Sequence, residues 1–222
     1  MKLSVVIPAL NEADRVVSAI ESARAPGVEV VVVDGGSRDA TPELAAAAGA
    51  RVVSGPAGRA EQLAAGVEAS GGDAILLLHA DSRLPLGFDR AIAGALEDAR
   101  TIGGAFRLRF ERAGWALRVV EWGVRLRVAV FGLPYGDQAV FVRRETLEAI
   151  GGIPRVPIME DLDLVRAMRG RGRLALLDLP VTTSARRYRS RGVARTLFRN
   201  ALAAAAWRFD LDRRRVADWY HR

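Results

Sequence analysis

Carboxylates stand at the ends of several apolar segments of this chain, in positions where side chains can bind ligands or transfer protons. Glu12 follows the first apolar run, Asp34 ends the second, and Asp81 follows the fourth. Ligands of open α/β sheets bind outside the carboxyl ends of the strands. A single carboxylate at the end of a strand needs no functional explanation, because aspartate is common in turns. Three at one edge are costly without a cation or a ligand, because buried like charges repel. The spacing therefore predicts a site for a cation or a polar ligand.

The elements that must position these carboxylates alternate regularly through the first hundred residues. Short β-branched or apolar runs predict strands, and helical spacing of apolar residues between them predicts helices. This order gives right-handed βαβ units on a parallel sheet, and the continuous apolar strands indicate that both faces of the sheet are covered. The predicted strands are 3–7, 29–33, 51–54 and 74–78, and the predicted helices are 11–24, 42–48 and 59–69.

The second half of the chain follows a different pattern. Residues 104–110 alternate in polarity, which predicts a half-exposed strand. We expect one domain over residues 1–185, with halves that meet near residue 100, and a basic helical extension over 186–222. The other predicted strands are 139–142 and 174–181, and the predicted helices are 85–99, 115–130, 160–168, 193–207 and 213–220.

Composition limits the classes of protein to consider. The 222 residues suffice for one domain, half of them are apolar, and the lack of cysteine excludes disulfides and thiolate chemistry. The net charge is +7, Lys2 is the only lysine, and arginine is concentrated in residues 186–222, which suits phosphate groups, an anionic membrane face or nucleic acid. With no signal peptide and no apolar run of the roughly 20 residues that a spanning helix needs, a cytoplasmic protein is expected.

The loop after the first predicted strand argues against two common nucleotide-binding classes. It contains neither a Gly-x-Gly-x-x-Gly fingerprint nor a Walker phosphate loop, which disfavours a dehydrogenase and a P-loop ATPase. A nucleotidyltransferase would normally carry a glycine-rich basic loop at this point, and the chain has Pro8-Ala-Leu-Asn-Glu12 instead. A nucleotidyltransferase stays open as an alternative.

Four motifs carry a resemblance to a known family. They are Ser4-Val-Val-Ile-Pro-Ala-Leu-Asn-Glu12, Val31-Val-Val-Asp-Gly-Gly-Ser-Arg-Asp-Ala-Thr41, Leu76-Leu-Leu-His-Ala-Asp81 and Glu160-Asp161. In order and spacing they resemble the family 2 glycosyltransferases of the GT-A fold, over residues 1–185. Gly58-Arg59-Ala60, Tyr135-Gly-Asp-Gln138 and the arginine-rich end look like the bacterial subgroup labelled arsenosugar-biosynthesis glycosyltransferases.

The resemblance implies an α/β enzyme with the Rossmann-like fold of nucleotide-diphospho-sugar transferases. That fold has a mostly parallel central sheet flanked by helices, a small antiparallel element and C-terminal helices. The implied activity is hexosyl transfer from a nucleoside-diphosphate sugar to an acceptor hydroxyl, with UDP expected ahead of GDP and the acceptor unknown. Residues 1–100 would bind the nucleotide and residues 101–185 the acceptor. The implied nucleotide-binding residues are Pro8, Asn11, Glu12, Asp34, Arg59 and Asp81.

Asp81 would also be the metal carboxylate of the family's Asp-x-Asp-like motif. The usual first aspartate of that motif is replaced here by His79. Oxygen ligands together with substrate phosphates suit Mg²⁺ or Mn²⁺. His79 could add a nitrogen ligand and favour Mn²⁺, could hydrogen-bond the ribose, or could be structural.

Asp161 resembles the family's catalytic base. A sugar hydroxyl is a poor nucleophile, so attack at the anomeric carbon requires removal of its proton. The N-terminus of the predicted helix favours an ionised carboxylate at this position. Glu160 could position the acceptor or Asp161, and the implied reaction is a single displacement with inversion. Without the upstream motifs, the pair would be an ordinary acidic first turn.

Two glycine-containing segments look like loops on the acceptor side. Glycine lets the backbone approach a ligand closely, although ordinary turns would have the same composition. The implied acceptor or sugar contacts are Gly104, Gly136, Asp137 and Gln138.

Arginines follow the last predicted strand at Arg187, Arg189 and Arg191. They could close over the diphosphate, because the planar guanidinium group suits phosphate oxygens. A solvated basic surface explains them equally well.

The apolar helices 115–130 and 193–207 are studded with arginine. Core packing is expected for their aromatic residues, and peripheral contact with the inner face of a membrane stays open. The alternative class is a degenerate, non-catalytic binder of anionic lipid or nucleic acid. The replacement of the first aspartate of the Asp-x-Asp-like motif supports this class, whereas the retention of Asp34, Asp81 and Asp161 argues against it. No nucleic-acid partner is expected. The aromatic residues concerned are Trp115, Trp122, Phe198 and Trp207.

Overall fold

A single sheet organises the protein. The computed structural model describes residues 1–111, 114–209 and 211–221. The strands within this part are β1 (Leu3–Ala9), β2 (Val28–Asp34), β3 (Arg51–Ser54), β4 (Ala74–Leu77), β5 (Ser82–Arg83), β6 (Thr101–Phe110), β7 (Phe141–Arg143) and β8 (Arg173–Thr183). Their order in the sheet is β3-β2-β1-β4-β7-β6-β8-β5.

The sheet joins a parallel half to a mixed half. β1 pairs in parallel with β2 and β4, and β2 pairs in parallel with β3. β7 runs antiparallel to both β4 and β6, while β6 and β8 are parallel and β5 is antiparallel to β8. This arrangement confirms the predicted α/β class and its mostly parallel sheet with a small antiparallel element.

Helices cover the sheet on both sides. Among the described residues, none combines the length and apolar character needed to cross a membrane. Sequence periodicity missed four short elements, which are β5, a helix at Arg144–Ala149, a helix at Arg186–Arg191 and a 3-10 turn at Gly136–Gln138, because two to six residues carry little pattern. The helices are α1 (Val16–Ser22), α2 (Thr41–Ala47), α3 (Arg59–Ala69), α4 (Phe88–Ala95), α5 (Trp115–Phe131), α6 (Arg144–Ala149), α7 (Glu160–Arg169), α8 (Arg186–Arg191), α9 (Val193–Arg208) and α10 (Arg213–His221).

The core has one layer on each face of the sheet. Successive side chains of a strand point to opposite faces, so Val5 and Ile7 pack in the layer that contains Ile92 of α4, whereas Val6 packs in the layer that contains Met168 of α7. Each such fully buried side chain stabilises the fold by about 1.5–3 kcal/mol. The helices thereby hold the carboxyl ends of β1, β2 and β4 in a rigid frame.

Two predictions about local structure are wrong. α1 begins at Val16 rather than at residue 11, because Asn11 has a left-handed backbone (φ 54°) and turns the chain before the helix starts. Gly104 belongs to β6 rather than to a loop. A Cβ on Gly104 would lie 2.0 Å from the carbonyl oxygen of Ala175 in β8, so sheet packing accounts for the glycine.

The exposure expected for the second half also differs from the structure. β6 is buried apart from Arg107 and Arg109, because α5 packs over Leu108 and Phe110. The half-exposed strand predicted there is therefore wrong.

The aromatic residues of the apolar helices are mostly outside the core. Trp115, Trp122 and Phe198 are exposed, so the prediction that they pack in the core is wrong. Trp207 is half-buried, and its indole N–H donates to Asp163 at 2.8 Å.

Candidate active site

The loops after β1 and β2 are joined by side-chain hydrogen bonds. The Asn11 N–H donates to Ser37 Oγ, and the Arg38 N–H donates to Asn11 Oδ1, both at 2.9 Å. Asp34 is buried and accepts the N–H groups of Gly36 and Ser37 at 3.1 Å. The predicted nucleotide residues Asn11 and Asp34 therefore belong to one rigid wall. Pro8 lies just below it in β1, beside Val33 of β2.

Glu12 connects the first loop to the C-terminal part of the chain. Its Oε1 accepts a hydrogen bond from Arg186 Nη2 at 2.9 Å, and its Oε2 lies 3.7 Å from Arg15 Nη1. Its own N–H donates to Thr41 Oγ1 at 2.9 Å. The sequence does not predict this contact of Arg186, because no pattern indicates an interaction between residues 174 positions apart.

Gln62 joins the carboxyl ends of β1 and β2 through side-chain hydrogen bonds. Its buried amide donates to the carbonyl oxygens of Ala9 and Val33 at 2.7 and 2.8 Å. Arg59 lies one turn earlier on α3, so the same hydrogen bonds fix the part of the helix that carries Arg59. Gln62 was not predicted, because a lone glutamine on a helix carries no signal.

Four carboxylates act electrostatically on Arg59. Its Nε is 2.9 Å from Glu160 Oε1, as an ion pair rather than an aligned hydrogen bond. Burial alone would lower the pKa of Arg59, but Glu160 and three aspartates raise it above its usual value. Burial raises the pKa of Glu160 despite Arg59, because its side chain is only 6% exposed. The three aspartates are Asp161, Asp137 and Asp81.

Asp161 is held by backbone groups on both carboxylate oxygens. Oδ2 accepts the Gly136 N–H at 2.6 Å, and Oδ1 accepts the Leu162 N–H at 2.9 Å. Met159, which precedes α7, has a left-handed backbone (φ 63°) that is uncommon outside glycine. This turn brings Glu160 and Asp161 together at the N-terminus of α7.

The 3-10 turn at Gly136–Gln138 forms the opposite wall. Gln138 Oε1 accepts the Tyr135 N–H and Arg127 Nη2, both at 3.2 Å, and its Nε2 donates to the Phe106 carbonyl at 3.0 Å. The guanidinium of Arg127 stacks on the ring of Tyr135 at 3.3 Å. Gln138 thus positions the turn from within. No sequence motif indicates a role for Arg127.

Asp137 faces the carboxylate cluster from this turn. Burial raises its pKa to about 6 despite Arg127, and the charges of Asp161 and Asp81 add to the shift. Its Oδ1 is buried and has no hydrogen-bond partner among the described residues. Asp137 is therefore a polar group poised for a ligand that the protein itself does not supply.

His79 and Asp81 follow β4 and face the same cluster. Burial lowers the pKa of His79 well below its usual value, and the charges of Arg59 and Arg187 lower it further, so the imidazole is neutral. Its Nε2 is buried and lacks a hydrogen-bond partner in the described part of the chain. A neutral imidazole nitrogen without a partner can ligate a cation or accept a hydrogen bond from a substrate.

The cluster fits a divalent cation only if a substrate shares the coordination. No group of three or more histidine or acidic side chains within the described residues could hold a metal by itself. Mg²⁺ in nucleotide sites usually takes one or two carboxylates and completes its shell with phosphate oxygens and water. Asp81, with or without His79, fits that arrangement.

The arginines of α8 occupy three different environments. Arg187 acts on the pKa of His79 and so faces the cluster. Arg189 and Arg186 line an open cavity of about 590 Å³, together with Arg15 and Ser184. Arg191 is exposed at the end of α8. Of the three predicted diphosphate residues, Arg187 alone lies close enough to His79 for its charge to lower the pKa of that imidazole.

Comparison with known proteins identifies the family. The sequence profile of glycosyl transferase family 2 matches residues 4–132, more than half of the chain. The chain belongs to glycosyl transferase family 2. None of the curated proteins compared with it matches the sequence.

Solved structures of glycosyltransferases have the same GT-A fold as this family member. The Staphylococcus aureus TarS fragment 1-349 is 15% identical with a TM-score of 0.68; the alignment covers 83% of this chain and 61% of that fragment. Glucosyl-3-phosphoglycerate synthase from Mycobacterium tuberculosis, in complex with Mn²⁺, UDP and glucosyl-3-phosphoglycerate, is 24% identical with a TM-score of 0.66, over 95% of this chain and 81% of that one. The same enzyme with phosphoglyceric acid is 26% identical with a TM-score of 0.62, over 81% and 70%. At these identities the likeness shows the fold.

Proposed function

We propose that this protein is an inverting glycosyltransferase that transfers a sugar from a UDP-sugar to an acceptor hydroxyl with the help of Mg²⁺ or Mn²⁺. The observation that carries the proposal is the set of four carboxylates around Arg59 at the carboxyl edge of the sheet. So many acidic groups around one arginine are unfavourable until a cation and its ligand enter. A relative of the same fold binds UDP with Mn²⁺ and another of its structures holds Mg²⁺ and UDP, which supports this donor class.

Asp161 is the proposed general base. Its two backbone hydrogen bonds fix the plane of the carboxylate, and the remaining lone pairs are free to accept the proton of an acceptor hydroxyl. Glu160 pairs with Arg59 and so orients the arginine rather than the acceptor. A divalent cation at Asp81 would neutralise the charge that develops on the departing diphosphate.

Several of the other predicted residues have positions consistent with this reaction. Asn11, Glu12 and Asp34 would bind the base and ribose, and Gln138 would hold Asp137 against the sugar or acceptor. Arg187 would contact the diphosphate, since guanidinium groups suit phosphate oxygens. The arsenosugar subgroup is a finer proposal that rests on the motifs around Arg59 and Asp137 and on the arginine-rich end.

Calorimetric titration of UDP and GDP tests the donor class. We expect UDP to bind in Mn²⁺ or Mg²⁺, to bind poorly in EDTA, and to lose its metal dependence in Asp81→Ala. No binding of either nucleotide under any metal would refute the transferase and favour the alternative binder of anionic lipid or nucleic acid.

The base assignment is tested with two isosteric variants, scored by UDP release from the donor that binds. Asp161→Asn should lower turnover about 10²–10⁴-fold and leave UDP affinity unchanged. If Asp137→Asn abolished turnover and Asp161→Asn did not, Asp137 would be the base instead. Formation of a nucleotidyl product in place of a glycoside would favour the nucleotidyltransferase.

A further inference from the structure

The outer face of α5 exposes a continuous apolar stripe. Its members are separated by three or four residues, so they line one side of the helix. The exposed fractions are 82% for Trp115, 59% for Val119, 63% for Trp122, 49% for Leu126 and 63% for Val130. These five residues are called the α5 stripe below. Exposed tryptophan at this density is unusual for a surface that faces only water.

The fold does not need the α5 stripe. The opposite face of the helix carries Leu117 and Val120, which are buried against Leu108 and Phe110 of β6. Because the opposite face already packs against the sheet, the α5 stripe is available to a partner outside the fold.

Positive charge flanks the α5 stripe. Arg118 and Arg125 are exposed on the same helix. The one acidic residue of α5, Glu121, is half-buried, accepts the Phe110 N–H at 2.6 Å and lines the groove described next. The charged side chains of α5 that are exposed to solvent, Arg118 and Arg125, are both basic.

An arginine-lined groove of about 890 Å³ opens beside the α5 stripe, with Trp122 in its wall. Two of its arginines are paired, Arg83 with Glu111 at 3.2 Å and Arg107 with Asp178 at 2.7 Å. The other three have no ion-pair partner among the described residues. They are Arg109, Arg118 and Arg125.

We propose that the α5 stripe and the arginine groove dock onto a bilayer surface that carries anionic phospholipid headgroups. Tryptophan and aliphatic side chains enter the boundary between headgroups and acyl chains, while neighbouring arginines reach the phosphates. At about 1.5 Å per residue, the 17 residues of α5 give a helix of about 25 Å that lies flat on the surface. A second copy of the chain fits less well, because a two-fold contact would bring the same arginines against each other.

Flotation with phosphatidylcholine vesicles, with and without phosphatidylglycerol, tests this docking surface. The full chain should bind the anionic vesicles, with weaker binding as salt rises, and its tryptophan fluorescence should shift to the blue. Arg118→Gln with Arg125→Gln should weaken binding about twenty-fivefold, since each arginine near an anionic surface contributes about fivefold. Trp115→Ser with Trp122→Ser should weaken it about tenfold or more and remove most of the shift.

Matched surface variants distinguish binding through this surface from nonspecific electrostatic or hydrophobic binding to vesicles. Arg155→Gln with Arg171→Gln removes the same charge elsewhere, and Leu44→Ser removes an exposed apolar residue of α2. Both should bind vesicles like the unmodified protein. Failure of the unmodified protein to bind, or equal weakening in the controls, would overturn the proposal. So would a stable dimer that the tryptophan variants dissociate, since a second copy would then cover the stripe. The UDP titration measures binding at the candidate active site and not at the α5 stripe. The glycosyltransferase proposal and the membrane-docking proposal can therefore be refuted independently.

Discussion

At the scale of single residues, the site depends on how closely Arg59 can approach its partners. Gly136 has no side chain at the point where the guanidinium passes: a Cβ there would lie 2.0 Å from Arg59 Nη2 and 3.1 Å from Asp161 Oδ2. The backbone of Gly136 is not in the left-handed region, so its conformation does not require glycine. Glycine is needed here because any side chain would collide with Arg59.

Gly136→Ala should displace Arg59 and disturb the Gly136–Asp161 hydrogen bond. We expect a loss of about 1–3 kcal/mol in the free energy of unfolding, as for other overpacked sites, together with weaker UDP binding. Gly94→Ala is the control, because a Cβ on that α4 residue meets no atom within 4 Å. It should stabilise the protein by about 0.5–1 kcal/mol. Equal stability of both variants in urea would contradict the steric argument.

Asp137 should make stability depend on pH in a defined direction. Burial raises its pKa in the folded state to about 6, from an ordinary value of 3.8. The folded protein keeps a proton there that the unfolded chain loses, so this contribution to stability falls as pH rises from about 4 to 6 and is constant above that. Asp137→Asn removes the titration.

Urea unfolding in EDTA at low and high pH measures this effect. Asp137→Asn should be more stable than the unmodified protein above about pH 6, by about 2–3 kcal/mol. The difference should vanish near pH 4. Asp178→Asn, an exposed acid paired with Arg107, should show no such trend. A variant that is less stable at high pH would refute the assignment.

Residue types with local motifs were predictable. Asp34, Asp81 and Asp161 follow strands or begin a helix, and the structure brings Asp81 and Asp161 to one arginine. Gln62, Arg127 and Arg186 were not predictable, because each acts through a contact between segments distant in sequence.

At the scale of elements, α8 closes the site by a tie to the first loop. The Arg186–Glu12 pair joins them at 2.9 Å, with 46% of the arginine side chain exposed. Exposed pairs contribute only about 0.2–1 kcal/mol to stability. The Arg186–Glu12 pair matters mainly because it fixes the position of α8, and with it Arg187, relative to the first loop.

Arg186→Gln should leave stability nearly unchanged and weaken UDP binding severalfold, because Glu12 and α8 lose their connection. Arg173→Gln is the matched control, since it breaks an exposed pair with Asp98 far along the sheet. Calorimetry and thermal unfolding measure both variants. Unchanged UDP affinity in Arg186→Gln would show that the tie is structural only.

The helix boundaries show which parts of the secondary structure the sequence predicts well and which it does not. Periodicity found the long helices α3, α5 and α9 to within a residue or so. It placed the start of α1 too early, because residues 11–15 form hydrogen-bonded loop structure instead.

At the scale of the whole molecule, the candidate site lies where the sheet changes from parallel to antiparallel, between β4 and β7. The parallel half was evident from the βαβ pattern. The mixed half was not, because the partners of β6 and β8 depend on chain crossings that no local pattern records.

A ligand of this site should stabilise the whole domain. At about 100 times its dissociation constant, UDP with Mn²⁺ should add about 2.7 kcal/mol, which corresponds to a rise in Tm of about 5–10 °C for a domain of this size. The rise should disappear in EDTA and in Asp81→Ala. An equal rise in EDTA would mean that the nucleotide binds without the cation.

Lys2 offers a simple way to orient the protein. It is the only lysine of the chain, it is exposed, and it immediately precedes β1, whose other end carries the first loop of the site. At about 3.3 Å per residue, the seven-residue strand separates the two ends by about 23 Å. A sensor surface that couples lysine side chains would hold every molecule by the amino end of β1. The carboxyl edge of the sheet would then face the solution in every copy.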